Sequence, residues 1–284
     1  MGAMDDTLAV ATWNVFDDQQ TWPDRAAPAA AVLASRGGVW CVQEVNEAMA
    51  SALAGASGLA DAHQGWDTGS RVLTQFPVTD SGVWGLPGTG EAGRVSQAGW
   101  AVLDVGGLAV LAVSAHLAWG ARAERLRSTQ MAALLGQVDA HADTADVVVL
   151  GADFNAGPDA ACARMLSGEV ATVDQYWVPA PSDGPTVDPS RNRWAAYQAA
   201  RLGSDPDRVP ARTFDQLWVR GWVHGRLGDP VRSFRVPGSG AASDHEAVAA
   251  DLDLCGQREP ASIVDTADGP TTVPAPAAAC WAAV

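Results

Sequence analysis

Val147-Val148-Val149-Leu150-Gly151-Ala152-Asp153-Phe154-Asn155 runs from four branched apolar residues, through two small ones, into an acid and an amide. The apolar part suits a buried strand. An Asp and an Asn at its end lie where a loop can aim them into a cleft while the sheet holds them rigid. Five other short signatures have the same form: Thr12-Trp13-Asn14, Gln43-Glu44, Ser114-Ala115-His116-Leu117, Phe214-Asp215-Gln216-Leu217 and Ser243-Asp244-His245. They are scattered along almost the whole chain, so only a fold brings them together. Their amides, carboxylates and imidazoles are the ligand set of a hard divalent cation joined to a general acid and base. Such a set points to metal-assisted hydrolysis.

Around these signatures, strand-like runs alternate with Ala-rich helical stretches. Residues 8–13, 39–43, 71–73, 99–105, 108–115, 147–150, 214–219 and 247–252 read as strands, with Gly106-Gly107 as a two-residue hairpin turn. Helices are expected at 28–35, closed by Gly37-Gly38, and at 46–54. The longest helix is expected at 121–140, where Leu126, Met131, Leu134, Leu135 and Val138 share a broad apolar face. Residues 179–212, rich in Pro, Asp, Arg and Ser, read as a long excursion with one helix at 194–201. The domain plan is a terminal stretch at 1–6 with Gly2-Ala3-Met4 as an expression scar, a core at 7–254, and an irregular Pro/Ala-rich tail at 255–284.

With 284 residues, 48% of them hydrophobic, the chain can bury a large core, which excludes wholesale disorder. The net charge is -15 and every basic residue is Arg. Non-specific grip on nucleic acid needs an electropositive face, so nucleic acid is disfavoured as a partner, although Arg191, Arg193, Arg201, Arg208 and Arg212 could form a local basic cluster. The alternative for that cluster is a solvated face paired with Asp183, Asp188, Asp205 and Asp207. Cys41, Cys162, Cys255 and Cys280 have neither metal-site nor disulfide-framework spacing. No apolar run reaches the length of a membrane span. A soluble, cytoplasmic protein is expected, an exported mature form staying open, as does the oligomeric state.

Taken in order, Trp13-Asn14, Gln43-Glu44, His116-Leu117, Gly151-Ala152-Asp153-Phe154-Asn155, Asp215 and Ser243-Asp244-His245 resemble the endonuclease/exonuclease/phosphatase superfamily, the DNase-I-like fold. Arg71 to Val78 is similar to the family's strand that ends at a Pro, and Arg127-Ser128-Thr129-Gln130 to its Arg-x-x-Gln helix. The resemblance implies an α/β (α+β) four-layer sandwich of two packed mixed β-sheets flanked by helices. It implies phosphoester hydrolysis with Mg²⁺ or Mn²⁺. Glu44 would be the principal metal carboxylate, with Asn14 and Asp244 completing or supporting the site. His245, oriented by Asp215, would be the general base or the imidazole that contacts phosphate. Asp153 would position or deprotonate the attacking water, Asn155 would hold a non-bridging phosphate oxygen, and His116 would donate to the transition state.

Each residue also has an ordinary structural role open to it. Glu44 could favour a helix N-terminus, Asn14 and Asn155 could be turn residues, Asp153 or Asp244 could be N-caps, and His116 a satisfied, partly buried histidine. His63, His141 and His224 belong to no signature and are assigned to structure. Departures from the family include Phe16 where an aspartate is often found, Gln75 in place of an Arg, and Arg212 displaced by one position ahead of Asp215. About a third of the twelve Trp are expected at the cleft rim. The expected activity is a metal-dependent phosphodiesterase or phosphatase with a small soluble phosphoester substrate. A DNA or RNA nuclease is the alternative, and a catalytically silent binding module is disfavoured because Glu44 and His245 are both present.

Overall fold

A computed structural model of the chain describes residues 7–89, 95–142, 144–168, 177–180, 184–221, 232–254, 262–266 and 269–273. The first sheet has six strands: β1 (Thr7–Asn14), β2 (Val39–Gln43), β3 (Ala60–Asp61), β4 (Ser70–Thr74), β11 (Arg232–Arg235) and β12 (Val248–Asp253), in the order β11-β12-β1-β2-β4-β3. The second has β5 (Val78–Thr89), β6 (Val95–Val105), β7 (Leu108–His116), β8 (Val147–Asp153), β9 (Val178–Ala180) and β10 (Asp215–Gly221), in the order β5-β6-β7-β8-β10-β9. Each sheet is mixed: β1 with β2 and β7 with β8 are parallel, their other pairings antiparallel. Helices α1 (Trp22–Ala34) and α2 (Glu47–Ser57) cover the first sheet, and α3 (Glu124–Ala142) and α4 (Ala161–Leu166) the second. The result is the four-layer α/β sandwich.

Three apolar layers follow from strand alternation. Leu8, Val10, Val39 and Val72 of the first sheet meet Val110, Ala112, Val147, Val149 and Leu217 of the second. Intervening residues on each strand face the helices: Trp13 and Trp40 pack with Leu33, Met49 and Leu53, while Val113, Val148 and Leu150 pack with Met131, Leu134 and Val138. Small residues set the spacing between sheets. A Cβ on Gly151 would lie 2.6 Å from that of Cys41 and 2.8 Å from that of Thr12. The buried amide of Gln43 fills the remaining space, its Nε2 lying 3.0 to 3.2 Å from Ser114 Oγ, Thr12 Oγ1, Gly151 O and Cys41 O. Gln43 therefore ties the end of β2 to both β7 and β8.

Several elements depart from expectation. Helix α1 starts at Trp22, not at residue 28, with Pro28 inside it. Its first turn already holds a proline, Pro23, whose fixed φ suits a helix start. Strand β5 escaped notice because Gly82, Gly85, Pro87 and Gly88 interrupt its apolar pattern; at Gly82 a side chain would collide with the Trp100 ring, 2.8 Å away. β9, β11 and α4 are too short for periodicity to find. Arg193–Arg201 forms the expected helix of the excursion, α5. The tail is not irregular throughout: β13 (Ser262–Thr266) and β14 (Gly269–Val273) pair as an antiparallel ribbon. Its β-branched residues, among them Ile263, Val264, Thr271 and Thr272, favour strands more than the Pro/Ala-rich composition around them suggests.

The cysteines and spare histidines that are described, Cys41, Cys162, His63 and His141, have structural places. Cys41 and Cys162 are buried free thiols, pushed up to about 12 and about 11 by burial; Cys255 and Cys280 lie outside the described residues. His141 packs 5.0 Å from both Trp84 and Trp100, which stack on each other at 5.5 Å. His224 lies outside the described residues. His63 is a clamp between the sheets, its Nδ1 accepting from the Val72 amide at 3.2 Å and its Nε2 lying 3.1 Å from the Gly82 carbonyl.

That geometry requires a neutral ring, one nitrogen accepting and the other donating. Burial holds the His63 pKa below 6.5, with Asp61 opposing and Arg71 adding to the depression. Above the unfolded value of about 6.5 both folded and unfolded states are neutral at this site, so its contribution is intact. As pH falls below that value the unfolded chain gains a proton that the folded one refuses, and stability drops. His63→Gln should cost about 1–3 kcal/mol at pH 7.5, and in thermal melts from pH 7.5 to pH 5 the Tm gap between wild type and variant should narrow; a constant gap removes His63 as a pH-sensitive contributor.

Candidate active site

The signatures meet at one edge of the sandwich because the register of the strands puts their ends together. Asn14 pairs with Gln43 at the ends of β1 and β2, His116 with Asp153 at the ends of β7 and β8, and Asp215 with Asp153 across β10 and β8. Just beyond β1 and β2, Phe16 and Glu44 take positive φ of 66° and 56°; just beyond β8, Asn155 has 50°. These are the positive-φ non-glycine residues among those described, and all three border the site. Such backbone costs on the order of 1–3 kcal/mol each and persists where surrounding contacts impose it.

Those contacts are specific. Asn14 donates from Nδ2 to Glu44 Oε1 at 3.0 Å and to Asp153 Oδ2 at 2.9 Å, bridging carboxylates from the two sheets. Its Oδ1 accepts from the Phe16 amide at 2.9 Å, so Asn14 is a turn former as well. Glu44 Oε2 accepts from the Asp17 amide at 3.1 Å. Asp153 Oδ1 accepts from the Asn155 amide at 2.8 Å. Asn155 Nδ2 lies 3.0 Å from Leu117 O and 2.8 Å from His116 Nε2, which is in turn 3.4 Å from Asp153 Oδ2 and 3.9 Å from Glu44. Glu44 does not cap α2; Asn46 does, accepting from the Met49 amide.

On the opposite side, Ser243 Oγ donates to Asn14 O at 2.6 Å and accepts from the His245 amide, while Trp13 Nε1 donates to His245 O. This seats His245 against β1. Its Nδ1 lies 2.7 Å from Asp215 Oδ2, and its Nε2 lies 3.9 Å from Asp153 Oδ2 and 4.0 Å from Asp244 Oδ1. All eight residues selected from sequence thus share one site. Arg127 and Gln130 shape its rim: Arg127 donates to Ala118 O and Gly120 O, and Gln130 accepts from the Ala118 amide.

The electrostatics are one-sided. Burial pushes the Asp244 carboxyl up to about 7, with Glu44, Asp153 and Asp215 adding to the rise and His245 opposing it. Asp215 is raised by burial, against the pull of His245. Asp153 is equally buried, yet the charges of His116 and His245 and the hydrogen bonds from Asn14 and Asn155 bring it below the usual carboxylate range. His245 is held well above 6.5: burial disfavours its charge, but Asp215, Asp244 and Asp153 outweigh burial. Four carboxylates, three of them buried, with two imidazoles leave an excess of acidic groups, an environment that fits a divalent cation. Ligand atoms of Asp153, Asp215 and His245 lie within 4.8 Å of one another; an ion among them would have to break the short His245–Asp215 contact, whereas Glu44 and Asp244 carry no such pairing with the imidazole.

Two features escaped the sequence reading. Arg25, fully buried in α1, donates to the carbonyls of Val15, Phe16, Asp18 and Ala242, tying the loop after Asn14 to the one carrying Asp244. Pro28 drew attention to the wrong turn of that helix, and nothing in the local pattern marks Arg25 as buried. The second is the excursion, which packs as a wall of the site: Asn192 donates to Ser243 O, Trp194 to Ala241 O, and Arg201 pairs with Asp18 at 3.4 Å. The basic cluster consequently disperses. Arg208 pairs with Asp205, Arg193 stacks over Trp194, and Arg212 lines the catalytic cavity. Of the tryptophans described, Trp119 alone lines that cavity. Asp17 and Asp18 turn away toward Asn46 and Arg201, so neither replaces the acid missing at Phe16.

Two mixed sheets flanked by helices, with acids, amides and imidazoles gathered at the strand ends, define a DNase-I-like hydrolase scaffold. The chain belongs to the endonuclease/exonuclease/phosphatase family, whose sequence profile matches residues 11–245; the family hydrolyses phosphoester bonds. Solved structures agree on the fold. Sphingomyelinase C from Streptomyces griseocarneus superposes with a TM-score of 0.66 at 21% identity, covering 87% of this chain and 99% of that one. The endonuclease/exonuclease/phosphatase protein from Bacteroides vulgatus gives 0.65 at 16%, and D. rerio TDP2 complexed with a single-strand DNA product gives 0.65 at 18%, each with the same coverage. A search of curated proteins returns no match.

Arg25→Gln should cost about 3 kcal/mol or more, because several buried carbonyls lose their donor. It should also depress kcat at temperatures where the variant is fully folded. A variant that melts early but turns over normally when folded would show that Arg25 stabilises the fold without positioning the site.

Proposed function

We propose that the chain is a Mg²⁺- or Mn²⁺-dependent phosphoesterase acting on a small soluble phosphodiester or phosphomonoester. The observation that carries this reading is the 2.7 Å Asp215–His245 pair facing Asp153, with Glu44 and Asp244 beside it, in a cavity of about 720 Å³. The acid excess described above fits one cation held by Glu44 and Asp244, with Asn14 in support as the amide that spaces Glu44 from Asp153. A bound ion supplies Lewis-acid polarisation of a phosphoryl oxygen.

The protein groups divide the remaining work. Asp215 fixes the His245 tautomer through Nδ1, leaving Nε2 to face the phosphate. The surrounding acids Asp215, Asp244 and Asp153 favour the charged form of the ring, which suits His245 to contact the phosphate. Asp153, kept ionised, orients the attacking water and takes its proton. Asn155 and His116 stand on the other flank, where they hold a non-bridging oxygen and stabilise the transition state. Residues 7–254 form the catalytic domain in this reading. A silent binding module is disfavoured, because Glu44 and His245 are both present and lie at one site with Asp153, Asp215 and Asp244.

Glu44→Ala and His245→Ala should each lower hydrolysis of bis-p-nitrophenyl phosphate by about 10²-fold or more at a temperature where circular dichroism shows the variant folded. EDTA should silence the enzyme, and Mg²⁺ or Mn²⁺ should restore it. Chelator-resistant turnover, or full activity in either variant, would overturn the assignment.

A further inference from the structure

The catalytic cavity has two unlike halves. One holds Glu44, Asp153, Asp244 and the two histidines. The other is mostly apolar and comes largely from the excursion: Ala195 and Ala199 of α5 are buried, Val187 and Phe214 join them, and the exposed Leu202 lines the same cavity as Trp119 from the loop after β7. Among the described residues, four large hydrophobics are exposed, and two of them are Trp119 at 41% and Leu202 at 59%. Both therefore sit at this one opening. The wall is held in place from behind by the bonds of Asn192, Trp194 and Arg201 to the site loops.

Cationic groups are scarce in the same cavity. Arg127 is committed to Glu124 at 3.0 Å and to two backbone carbonyls, which leaves Arg212, exposed and in no ion pair among the described residues. Glu44, Glu124, Asp153 and Asp244 also line it. A polyanion would meet more carboxylates than guanidinium groups, whereas one phosphate with a single negative charge is matched by Arg212 and one metal ion held by the acids. Apolar surface at the mouth would gain by covering an uncharged arm.

Resting on the phosphoesterase reading, we propose that the substrate is a singly charged phosphodiester with one uncharged apolar arm, and that Trp119 and Leu202 select that arm. The arm stays on phosphorus: water adds its oxygen to the phosphorus atom, the bond to the other ester oxygen breaks, and that alcohol leaves.

The test uses three p-nitrophenyl phosphodiesters that differ only in the second arm, methyl, hexyl or phenyl, together with a single-stranded DNA oligonucleotide, all with Mg²⁺ or Mn²⁺. Wild type should show kcat/KM at least tenfold higher on the hexyl ester, the phenyl ester or both than on the methyl ester. Preference for phenyl alone identifies a flat ring, and preference for hexyl an alkyl chain. Trp119→Ala and Leu202→Ser should erase the preference mainly through KM, leaving the methyl ester within twofold of wild type. Equal kcat/KM on all three esters, an equal loss on all three in the variants, or a higher kcat/KM on the oligonucleotide would overturn the inference while leaving the phosphoesterase reading intact. No hydrolysis of any compound would remove that reading itself.

Discussion

The two sheets come into close contact at Gly151, where even a methyl group would collide with Cys41 and Thr12. Everything at the site depends on that approach. Ordinary sheet packing leaves about 10 Å between backbones, too far for a side chain on one sheet to share a hydrogen with its counterpart on the other without a long reach. Small residues and the buried Gln43 amide close the gap where β1, β2, β7 and β8 end together. Asn14 can then touch Glu44 and Asp153 at once, although they belong to different sheets. Gln43 thus serves the site without belonging to it, which explains why it stands beside Glu44 in one signature.

Closeness has an electrostatic cost. Gathering Glu44, Asp153, Asp215 and Asp244 in a region largely shut off from water disfavours their charged forms, and the strain is distributed unequally. Asp153 stays ionised because four groups favour its charge, whereas Asp244 rises to about 7. Separation of this kind between neighbouring carboxyls is how one site presents both a base and a group awaiting a cation. Arg25 limits the damage from behind. Its charge lies near Asp244 and Asp18, and its hydrogen bonds hold the loops so that repulsion cannot push them apart.

Much of this was legible in the sequence, for a physical reason. Strand ends buried on both faces must be apolar up to the last residue, so a polar residue placed there stands out; Asn14, Glu44, His116, Asp153, Asp215 and the Ser243-Asp244-His245 run all did. The hairpin at Gly106-Gly107 was equally plain, both glycines having positive φ. Elements whose residues answer to a distant partner were not. Gly82 in β5 is small because Trp100 lies against it, and the charge of Arg25 is satisfied by carbonyls, which no side-chain pattern announces. The tail ribbon was hidden by composition, and the rim count of tryptophans failed because Trp13, Trp40, Trp84 and Trp100 fill the helix-facing layers instead.

The same distinction separates chemistry from selectivity. Catalytic groups sit on strand ends whose positions are set by hydrogen-bonded register, so the reaction class follows from a few short signatures. The apolar wall of the cavity comes from α5 and the segments around it, whose position is set by isolated bonds from Asn192, Trp194 and Arg201 to the site loops. Changing Ala195, Ala199 or Leu202 would reshape the cavity without disturbing a single strand pairing. An excursion anchored in this way lets one catalytic framework accept different substrates, and it places the determinants of substrate choice in the part of the chain least governed by periodicity. Under the proposed selectivity, the charge of the cavity and the exposure of Trp119 and Leu202, not any motif, point to what is bound.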